Sequence, residues 1–470
     1  DIAMNHAFGQ SPLAQMWWDP LANAPAANSP YFNTVPKHDY NVGYDFNHES
    51  EATRNMRNII FSYWLQEFNV DGYRFDLSKG YTQTNTLGDV GLWGQYDATR
   101  IAIWKDIADV LYTVEEDAIL ILEHFAVNTE EEELSDYGFL LWGNSNYNYA
   151  QGTMGYTGSD INWMSYVARG WSDPHVMGYM ESHDEERLMY KNISFGNSGN
   201  PDYNVKYLPV ALSRMELAGA FFFTIPGPKM IWQFGELGYD ISIDYGCRVC
   251  NKPVLWNYYD IASRLRINQV WSELIKLKTT YPAFSSTSFI LNVGGSGKRI
   301  NLNNDEMNVT VIGNFDVYNA SVNPNFQHTG FWYEYFSGDT INVSNISQTI
   351  NLLPGEYRLY TDVKLNTPDI IISIEELASA MQHELLVSPN PSGNLFNLSA
   401  DLATSGEVAI SIYNLKGELV FEDAVISNAG AFNYTWSGNT TDGSAIPTGT
   451  YLCKMQTSAG VYLAKLMKVQ

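Results

Sequence analysis

Three acidic residues each stand at or just after the carboxyl end of an apolar, strand-like segment. Asp76 ends VDGYRFD, Glu123 follows AILIL, and Asp184 follows VMGYMES and His183. The three segments are residues 70–76, 118–125 and 176–182. Because the carboxyl ends of parallel strands meet at one edge of a sheet, we expect these carboxylates at one rim. One such carboxylate is a weak indication of a site, whereas three at successive strand ends favour one.

Two carboxylates that flank one bond are what glycoside hydrolysis requires. In the retaining mechanism they lie about 5–5.5 Å apart, one as nucleophile and the other as acid and base. Arg74 shares a strand face with Asp76, so its charge favours the ionised carboxylate. The apolar run before Glu123 favours a carboxyl group that keeps its proton near neutral pH. The competing interpretation of Arg74 and Asp76 is a structural ion pair, and the position of Asp76 at a strand end argues against it.

Strand and helix patterns alternate from residue 50 to about residue 280. This alternation predicts an α/β fold with a parallel sheet. Because the strands are almost continuously apolar, both faces of the sheet are expected to be buried. The other predicted elements are strands at 137–143 and 228–236 and helices at 52–68, 97–113, about 204–221 and about 264–280.

The pattern changes at Tyr281-Pro282. Residues 281–362 have short β-rich segments and turn residues, which predict an antiparallel β-sandwich. Residues 363–385 are predicted to be a linker with one short helix, at IEELASAMQ. Residues 386–470 predict a further all-β unit with Asn-Pro and Lys-Gly turns. The sequence thus predicts a catalytic unit over 1–280 followed by two β units.

Composition narrows the possible partners. The chain has 470 residues and a formal net charge of −25, so phosphates would be repelled and neither nucleic acid nor anionic membranes are expected partners. No apolar run is long enough for a transmembrane helix. Of the three cysteines, Cys247 and Cys250 form CRVC, for which a local disulfide or two idle thiols are favoured over a zinc site.

Four motifs in order resemble the α-amylase family, glycoside hydrolase family 13. They are DIAMNH at 1–6, GYRFDLSKG at 72–80, ILILEHF at 119–125 and ESHDEE at 181–186. The resemblance implies a retaining hydrolase with no organic cofactor that cleaves α-1,4 links in starch, glycogen or maltodextrins. It implies these roles: Asp76 as nucleophile, Glu123 as acid/base, Asp184, His183 and His6 on the same sugar, Arg74 as the invariant arginine and Lys79 on the leaving-group side.

The same resemblance implies a (β/α)8 TIM barrel followed by a β-sandwich. The family's first motif lies at the end of the third barrel strand, so we expect that the first two strands are missing from this sequence. Members of the family often bind a structural Ca2+. Asn5, and Asp45 in YDFN, match the usual ligand positions, and calcium prefers such oxygen ligands.

The segment from 386 to 470 resembles the C-terminal sorting domain of type IX secretion in Bacteroidetes-type bacteria. The likeness rests on SPNPSGN, IYNLKGELV and GTYLCKMQTSAGVYLAKLMKVQ. It implies a secreted or cell-surface protein whose partners include the type IX secretion machinery. The alternative for this segment is a generic β-sandwich that binds carbohydrate.

Three alternatives to hydrolysis remain open. SHDEER and WQFGELG resemble the branching members of the family, which transfer glucan chains instead of hydrolysing them. A catalytically silent glycan-binding protein would typically have lost a catalytic carboxylate, whereas all three are present here. A purely structural surface protein would leave those carboxylates unexplained.

Overall fold

The computed structural model of the chain describes residues 1–41, 43–370, 385–402, 405–414, 419–457 and 460–469. These divide into two compact units, Asp1–Leu255 with Val270–Pro368, and Trp256–Gln269 with Asp369–Gln470. The predicted helix at IEELASAMQ lies outside the described residues, and the predicted domain boundaries stay predictions. Within the described chain, no helix has the length and apolar character needed to span a membrane.

The first unit is built around a parallel sheet. Its five strands lie in chain order, and each pairs in parallel with the next: β5 Gly72–Phe75, β6 Ile119–Leu122, β7 Leu140–Asn144, β8 Val176–Tyr179 and β9 Lys229–Met230. At the outer side of β5, Ile2 forms a parallel bridge to Phe75. The α/β class and the parallel sheet predicted from the sequence are therefore confirmed, while the truncated barrel stays a prediction. The strands before this sheet are β1 His6–Ala7, β2 Trp18–Asp19, β3 Ala24–Pro25 and β4 Tyr44–Asp45.

Helices connect and cover these strands. The helix α4 begins at the cap residue Asp97, whose side chain accepts hydrogen bonds from the backbone of Thr99 and Arg100. The helix α2 ends at Asn69, whose left-handed backbone conformation stops the helix. Within the part of the chain that the structure describes, the α-helices are α1 Pro12–Met16, α2 Glu51–Phe68, α3 Val90–Trp93, α4 Ala98–Val114, α5 Asn128–Asp136, α6 Asn146–Thr153, α7 Tyr166–Arg169, α8 Leu188–Phe195, α9 Leu208–Thr224 and α10 Ala262–Thr280.

The two faces of the sheet differ in burial. Tyr73 and Phe75 of β5 pack into one core with Phe61 of α2 and Trp104 of α4. The opposite face carries Arg74, as the period-two alternation predicts. The prediction that both faces are buried is wrong at Ile119, which is 49 % exposed. The described residues do not cover the side chain at that end of β6.

Antiparallel sheets complete both units. In the first unit a six-stranded sheet runs in the order β10-β11-β12-β17-β14-β15, with β13 paired to β16. In the second unit two sheets, β18-β19-β22 and β21-β20-β23-β24, share one apolar core. These strands are β10 Phe289–Asn292, β11 Gly297–Leu302, β12 Val309–Asn314, β13 Ala320–Val322, β14 Gly330–Glu334, β15 Thr340–Val343, β16 Ile350–Leu352, β17 Tyr357–Thr361, β18 Leu386–Ser388, β19 Phe396–Leu402, β20 Gly406–Asn414, β21 Leu419–Ser427, β22 Gly430–Trp436, β23 Gly449–Thr457 and β24 Gly460–Lys468.

Candidate active site

The carboxyl ends of β5, β6 and β8 bring three of the predicted residues together. One oxygen of Asp76, one oxygen of Glu123 and one ring nitrogen of His183 all lie within 4.8 Å of one another. The backbone sets two of these positions, because Asp76 N donates to Ile2 O at 2.9 Å and Glu123 N donates to Phe75 O at 3.1 Å. Two carboxylates that are separated by 47 residues in the sequence therefore face one small volume at the rim.

Arg74 connects the two carboxylates. Its Nη1 donates to Asp76 Oδ1 at 2.7 Å, and its Nη2 lies 2.8 Å from Glu123 Oε2 in an ion-pair contact without hydrogen-bond geometry. Nη1 also contacts Asp1 Oδ1 at 2.8 Å. The guanidinium carbon lies 4.3 Å from the centre of the Trp142 ring, a cation–π contact that holds the arginine in place. One half-buried cation thus pairs with both acids.

Glu123 is the more buried of the two acids, with 8 % of its surface exposed. Burial raises the pKa of Glu123 to about 7. The hydrogen bond from Leu77 N and the charge of Arg74 act in the opposite direction and lower this pKa. The charges of Asp76 and Asp184 raise it further. Leu77 N donates to Glu123 Oε2 at 2.8 Å. A carboxyl group in this setting can hold a proton near neutral pH and release it during a reaction.

Asp184 and His183 form the open side of the rim. His183 Nε2 lies 3.4 Å from Asp184 Oδ2, and the Asp184 side chain is 59 % exposed. The rings of Trp142 and Trp232 have their centres 6.1 and 5.8 Å from the His183 ring. The structure therefore places Asp184 near the buried Glu123 but toward solvent, where a ligand could reach it.

His6 and Lys79 have different surroundings. Burial lowers the pKa of His6, while the charge of Asp76 acts in the opposite direction, which places His6 near that carboxylate. Asn5 Nδ2 lies 3.0 Å from His6 Nδ1. Lys79 instead donates to Phe125 O at 3.0 Å, and its Nζ lies 4.1 Å from the Trp93 ring centre. The structure thus brings His6 to the carboxylates and holds Lys79 against Phe125 and Trp93.

The two predicted calcium ligands come together next to His6. Asn5 Oδ1 lies 3.0 Å from His38 Nε2, and Asp45 Oδ1 lies 3.9 Å from the same nitrogen. Asp45 Oδ1 is buried and has no hydrogen-bond partner in the described chain, and burial raises the Asp45 pKa to about 7. A Cβ on Gly80 would come within 2.0 Å of Asn5 Oδ1, so only glycine fits against these oxygens. The oxygens of Asn5 and Asp45, one of them unpaired, fit a cation such as calcium. His38 is the neighbour that fills the space beside these oxygens.

The cluster of Asp76, Glu123 and His183 also has the composition of a metal site. Arg74 argues against that interpretation, because its guanidinium already pairs with both carboxylates. A divalent cation between the same oxygens would be repelled by the arginine at short range. The arrangement is better suited to acid–base and nucleophilic chemistry.

Several residues near the rim escaped the sequence reasoning. His38 was missed because it lies in a loop without periodic pattern. Ser78 and His124 were missed although each stands within two residues of a predicted acid, which was the available signal. Of the two alternatives for CRVC, the structure has the disulfide between Cys247 and Cys250. Arg248 within that loop donates to the Asp184 carbonyl oxygen.

Solved structures share this architecture. An α-amylase from Geobacillus thermoleovorans, complexed with acarbose, superposes with a TM-score of 0.56 and 14 % identity over 77 % of this chain and 76 % of its own. Amy13B of Eubacterium rectale superposes with a TM-score of 0.54 and 13 % identity over 77 % of this chain and 78 % of its own. This chain has an α-amylase-like fold.

Sequence comparison connects the α-amylase-like fold to a glucan-modifying enzyme. The 1,4-alpha-glucan branching enzyme GlgB of Bacillus cereus (strain AH187) is 23 % identical over 241 residues, which is 48 % of this chain and 34 % of the enzyme. The chain therefore spans about a third of the length of the curated relatives that it matches. Residues 393–460 match the family described as FlgD Ig-like domain. That match concerns an Ig-like fold, and the predicted type IX sorting role stays a prediction.

Proposed function

We propose that this chain carries the catalytic centre of a retaining enzyme that acts on α-1,4-linked glucans. The proposal rests mainly on one observation: oxygens of Asp76 and Glu123 lie within 4.8 Å of each other across Arg74. This close approach agrees with the retaining geometry, in which the two carboxyl groups lie about 5–5.5 Å apart. The relatives and the fold neighbours named above are consistent with a glucan substrate.

In this proposal the two carboxylates divide the chemistry. Asp76, paired with Arg74, attacks the anomeric carbon and forms a covalent glycosyl-enzyme while the glycosidic bond breaks. Glu123 gives its proton to the leaving oxygen and then takes a proton from the water that releases the sugar. Asp184, His183 and His6 hold the reacting sugar, and Lys79 lies toward the leaving-group side.

The second candidate is transfer of the glucan chain to a sugar hydroxyl, as in a branching enzyme. It is favoured by the similarity to a protein named as a 1,4-alpha-glucan branching enzyme. Both reactions share the covalent step on Asp76 and differ only in the acceptor that Glu123 activates. A single assay can therefore separate them.

The test compares wild type, Asp76→Asn and Asp71→Asn on soluble starch, with reducing ends and iodine staining followed together. Asp71 is a matched control, because it is exposed and precedes the same strand. New reducing ends in wild type and the control, but not in Asp76→Asn, would support hydrolysis. A change of staining without reducing ends would support transfer. Starch binding without either signal would support the silent glycan-binding protein and overturn the proposal.

We also propose that Asn5 and Asp45 hold a structural calcium ion. The proposal is supported by the unpaired, buried Asp45 Oδ1 and by the approach of both side chains to the same nitrogen, His38 Nε2. A bound calcium would supply positive charge for the buried carboxylate and tie the start of the chain to the loop that carries Asp45. Its role would be structural, because Asp45 is buried away from solvent.

For residues 386–470 we propose a role in export by type IX secretion, which would make the protein secreted or surface-exposed. The proposal is supported by the sequence motifs of this segment and by its separate apolar core. Fusing the segment to a reporter protein in a Bacteroidetes host tests it. Export that depends on the type IX translocon is expected, whereas a reporter that stays inside the cell, or starch binding by the segment alone, would contradict it.

A further inference from the structure

A row of buried polar side chains lies directly behind the two carboxylates. Ser78 Oγ is 2.9 Å from His124 Nδ1, and His124 Nε2 is 2.7 Å from Glu130 Oε1. Arg100 donates to both oxygens of Glu130, through Nε at 2.6 Å and Nη2 at 2.7 Å. All four side chains are almost completely buried. We call this row, Ser78–His124–Glu130–Arg100, the polar relay.

The relay ends on the backbone of the proposed acid. Ser78 N–H donates to Glu123 O at 3.0 Å, and the Ser78 hydroxyl oxygen lies 2.8 Å from the same carbonyl. Leu77 N donates to Glu123 Oε2 at 2.8 Å. The segment directly after Asp76 is thus bonded to both the main chain and the side chain of Glu123. These bonds set how far apart the two carboxylates lie.

The protons available in the relay make its members depend on one another. The Ser78 hydroxyl has one proton and two acceptors in reach, Glu123 O and His124 Nδ1. Burial lowers the pKa of His124, so the ring is neutral and its proton lies on Nε2, which donates to Glu130. Nδ1 then accepts the hydroxyl proton of Ser78, while the Ser78 N–H donates to Glu123 O. Arg100 in turn holds Glu130 ionised through two charge-assisted hydrogen bonds, which keeps the proton of the histidine ring on Nε2. The outer residues of the relay therefore fix how Ser78 is held against the backbone of the acid.

We propose that His124, held by Glu130 and Arg100, is a positioning residue that aligns Glu123 for proton transfer to the leaving group. This inference rests on the proposed function of Glu123. His124 itself does not touch the substrate, because its ring is enclosed between Ser78 and Glu130. It acts through the backbone of the residue that precedes it in the chain.

The loss of a residue that aligns the general acid should slow each substrate according to how much its leaving group needs a proton. Starch has a poor leaving group and needs the proton, whereas α-maltosyl fluoride releases fluoride with little protonation. Loss of the relay should therefore impair turnover of starch far more than formation of the glycosyl-enzyme from the fluoride. A general loss of stability would lower both activities equally.

The experiment measures kcat/KM of the full chain on soluble starch and on α-maltosyl fluoride. The variants are His124→Phe, which keeps the ring volume without hydrogen bonds, Ser78→Ala, which removes one hydroxyl, and His124→Asn, which keeps a polar atom near Nδ1. Glu133→Gln is the control. Glu133 lies on α5 together with Glu130, but its side chain is 38 % exposed and pairs with Lys105. Thermal melts establish that each variant is folded.

For His124→Phe we expect a loss of roughly ten- to a hundredfold on starch and under about threefold on the fluoride. His124→Asn should recover part of the loss, and Glu133→Gln should match wild type. If His124→Phe does not fold, the starch-to-fluoride ratio of Ser78→Ala carries the same test. Equal losses on both substrates, or no loss, would overturn the positioning role alone. A wild type that is inert toward both substrates would overturn the proposed function and this inference with it.

Discussion

The rim of the parallel sheet and the C-terminal β unit bury very different side chains. Behind the rim, charged residues are enclosed in the fold, among them Glu123, Glu130 and Arg100. In the described residues between 385 and 469, Lys468 is the one charged side chain classed as buried, and its Nζ donates to the carbonyls of Gly393 and Gly438. Both regions are well packed, so packing alone does not account for the difference.

The difference shows where the fold accepts an electrostatic cost. Enclosing charges destabilises a protein unless each is paired, and an apolar core of the same size would avoid that cost. The C-terminal unit has such a core, with Trp436, Phe396 and Ile410 at its centre. The rim instead keeps paired charges and a carboxyl group with a raised pKa, which is characteristic of functional sites. The following predictions test this contrast.

The largest expected effect is loss of catalysis at the rim. Glu123→Gln should lower kcat on starch by roughly 10²- to 10⁴-fold, because the amide cannot donate the proton. Asp423→Asn is the control in the C-terminal unit, where the carboxylate is exposed and accepts a hydrogen bond from Tyr434. Steady-state kinetics should show no change for the control. Equal losses in both variants would mean that charge in general, not the rim, matters.

The converse change should affect stability without affecting catalysis. Trp436→Ala removes a ring that stacks on Phe396 at 5.4 Å in the apolar core, at a cost of about 3–5 kcal/mol. Hydrogen exchange should accelerate in β20 and β23, while kcat on starch stays at the wild-type value. Reduced kcat in this variant, measured where it is folded, would contradict the separation between the two regions.

Calcium should stabilise only the unit that contains the rim. If Asn5 and Asp45 bind it, calcium at roughly 100 times its Kd would add about 2.7 kcal/mol to the free energy of unfolding. The melting temperature should therefore rise with calcium chloride and fall with a chelator in wild type. In Asp45→Asn both responses should be lost. A wild-type melt that ignores calcium and chelator would exclude the proposed ion.

The smallest expected effect is the pH dependence of the acid. Burial raises the pKa of Glu123 to about 7, so the proton that it donates is present below that pH and lost above it. We expect kcat/KM on starch to fall as pH rises through 7, by about tenfold for each further pH unit. In Glu123→Gln the residual activity should not show this fall of kcat/KM with rising pH. If the same fall of kcat/KM persisted in that variant, the titration would belong to another group.

Much of this architecture could be predicted from local patterns. The strand predicted at 70–76 is observed at Gly72–Phe75, and the helix predicted at 97–113 is observed at Ala98–Val114. Period-two alternation correctly placed Arg74 opposite Tyr73. The placement of acids at strand ends was readable because parallel strands end on the same edge. The even burial predicted for both sheet faces was wrong at Ile119, because a strand's composition does not reveal what covers it.

The details of the site depended on contacts between distant segments. Arg74 was predicted to assist Asp76, but its second contact, with Glu123, depends on the lateral pairing of β5 with β6. Likewise, His38 reaches Asn5 across 33 residues of sequence through a loop without a periodic signal. No local pattern encodes such distances.

By itself the sequence determined the elements and the chemistry available to them. Hydrophobic periodicity follows from the geometry of a strand or helix, which repeats within a few residues. The position of an acid at the end of a strand can be read from the same local pattern. Only the tertiary structure decided which charges meet, how deeply Glu123 is buried and that the polar relay leads to its backbone. These properties depend on hydrogen bonds and desolvation among residues far apart in the chain, and they arise only when the sheet and its helices pack together.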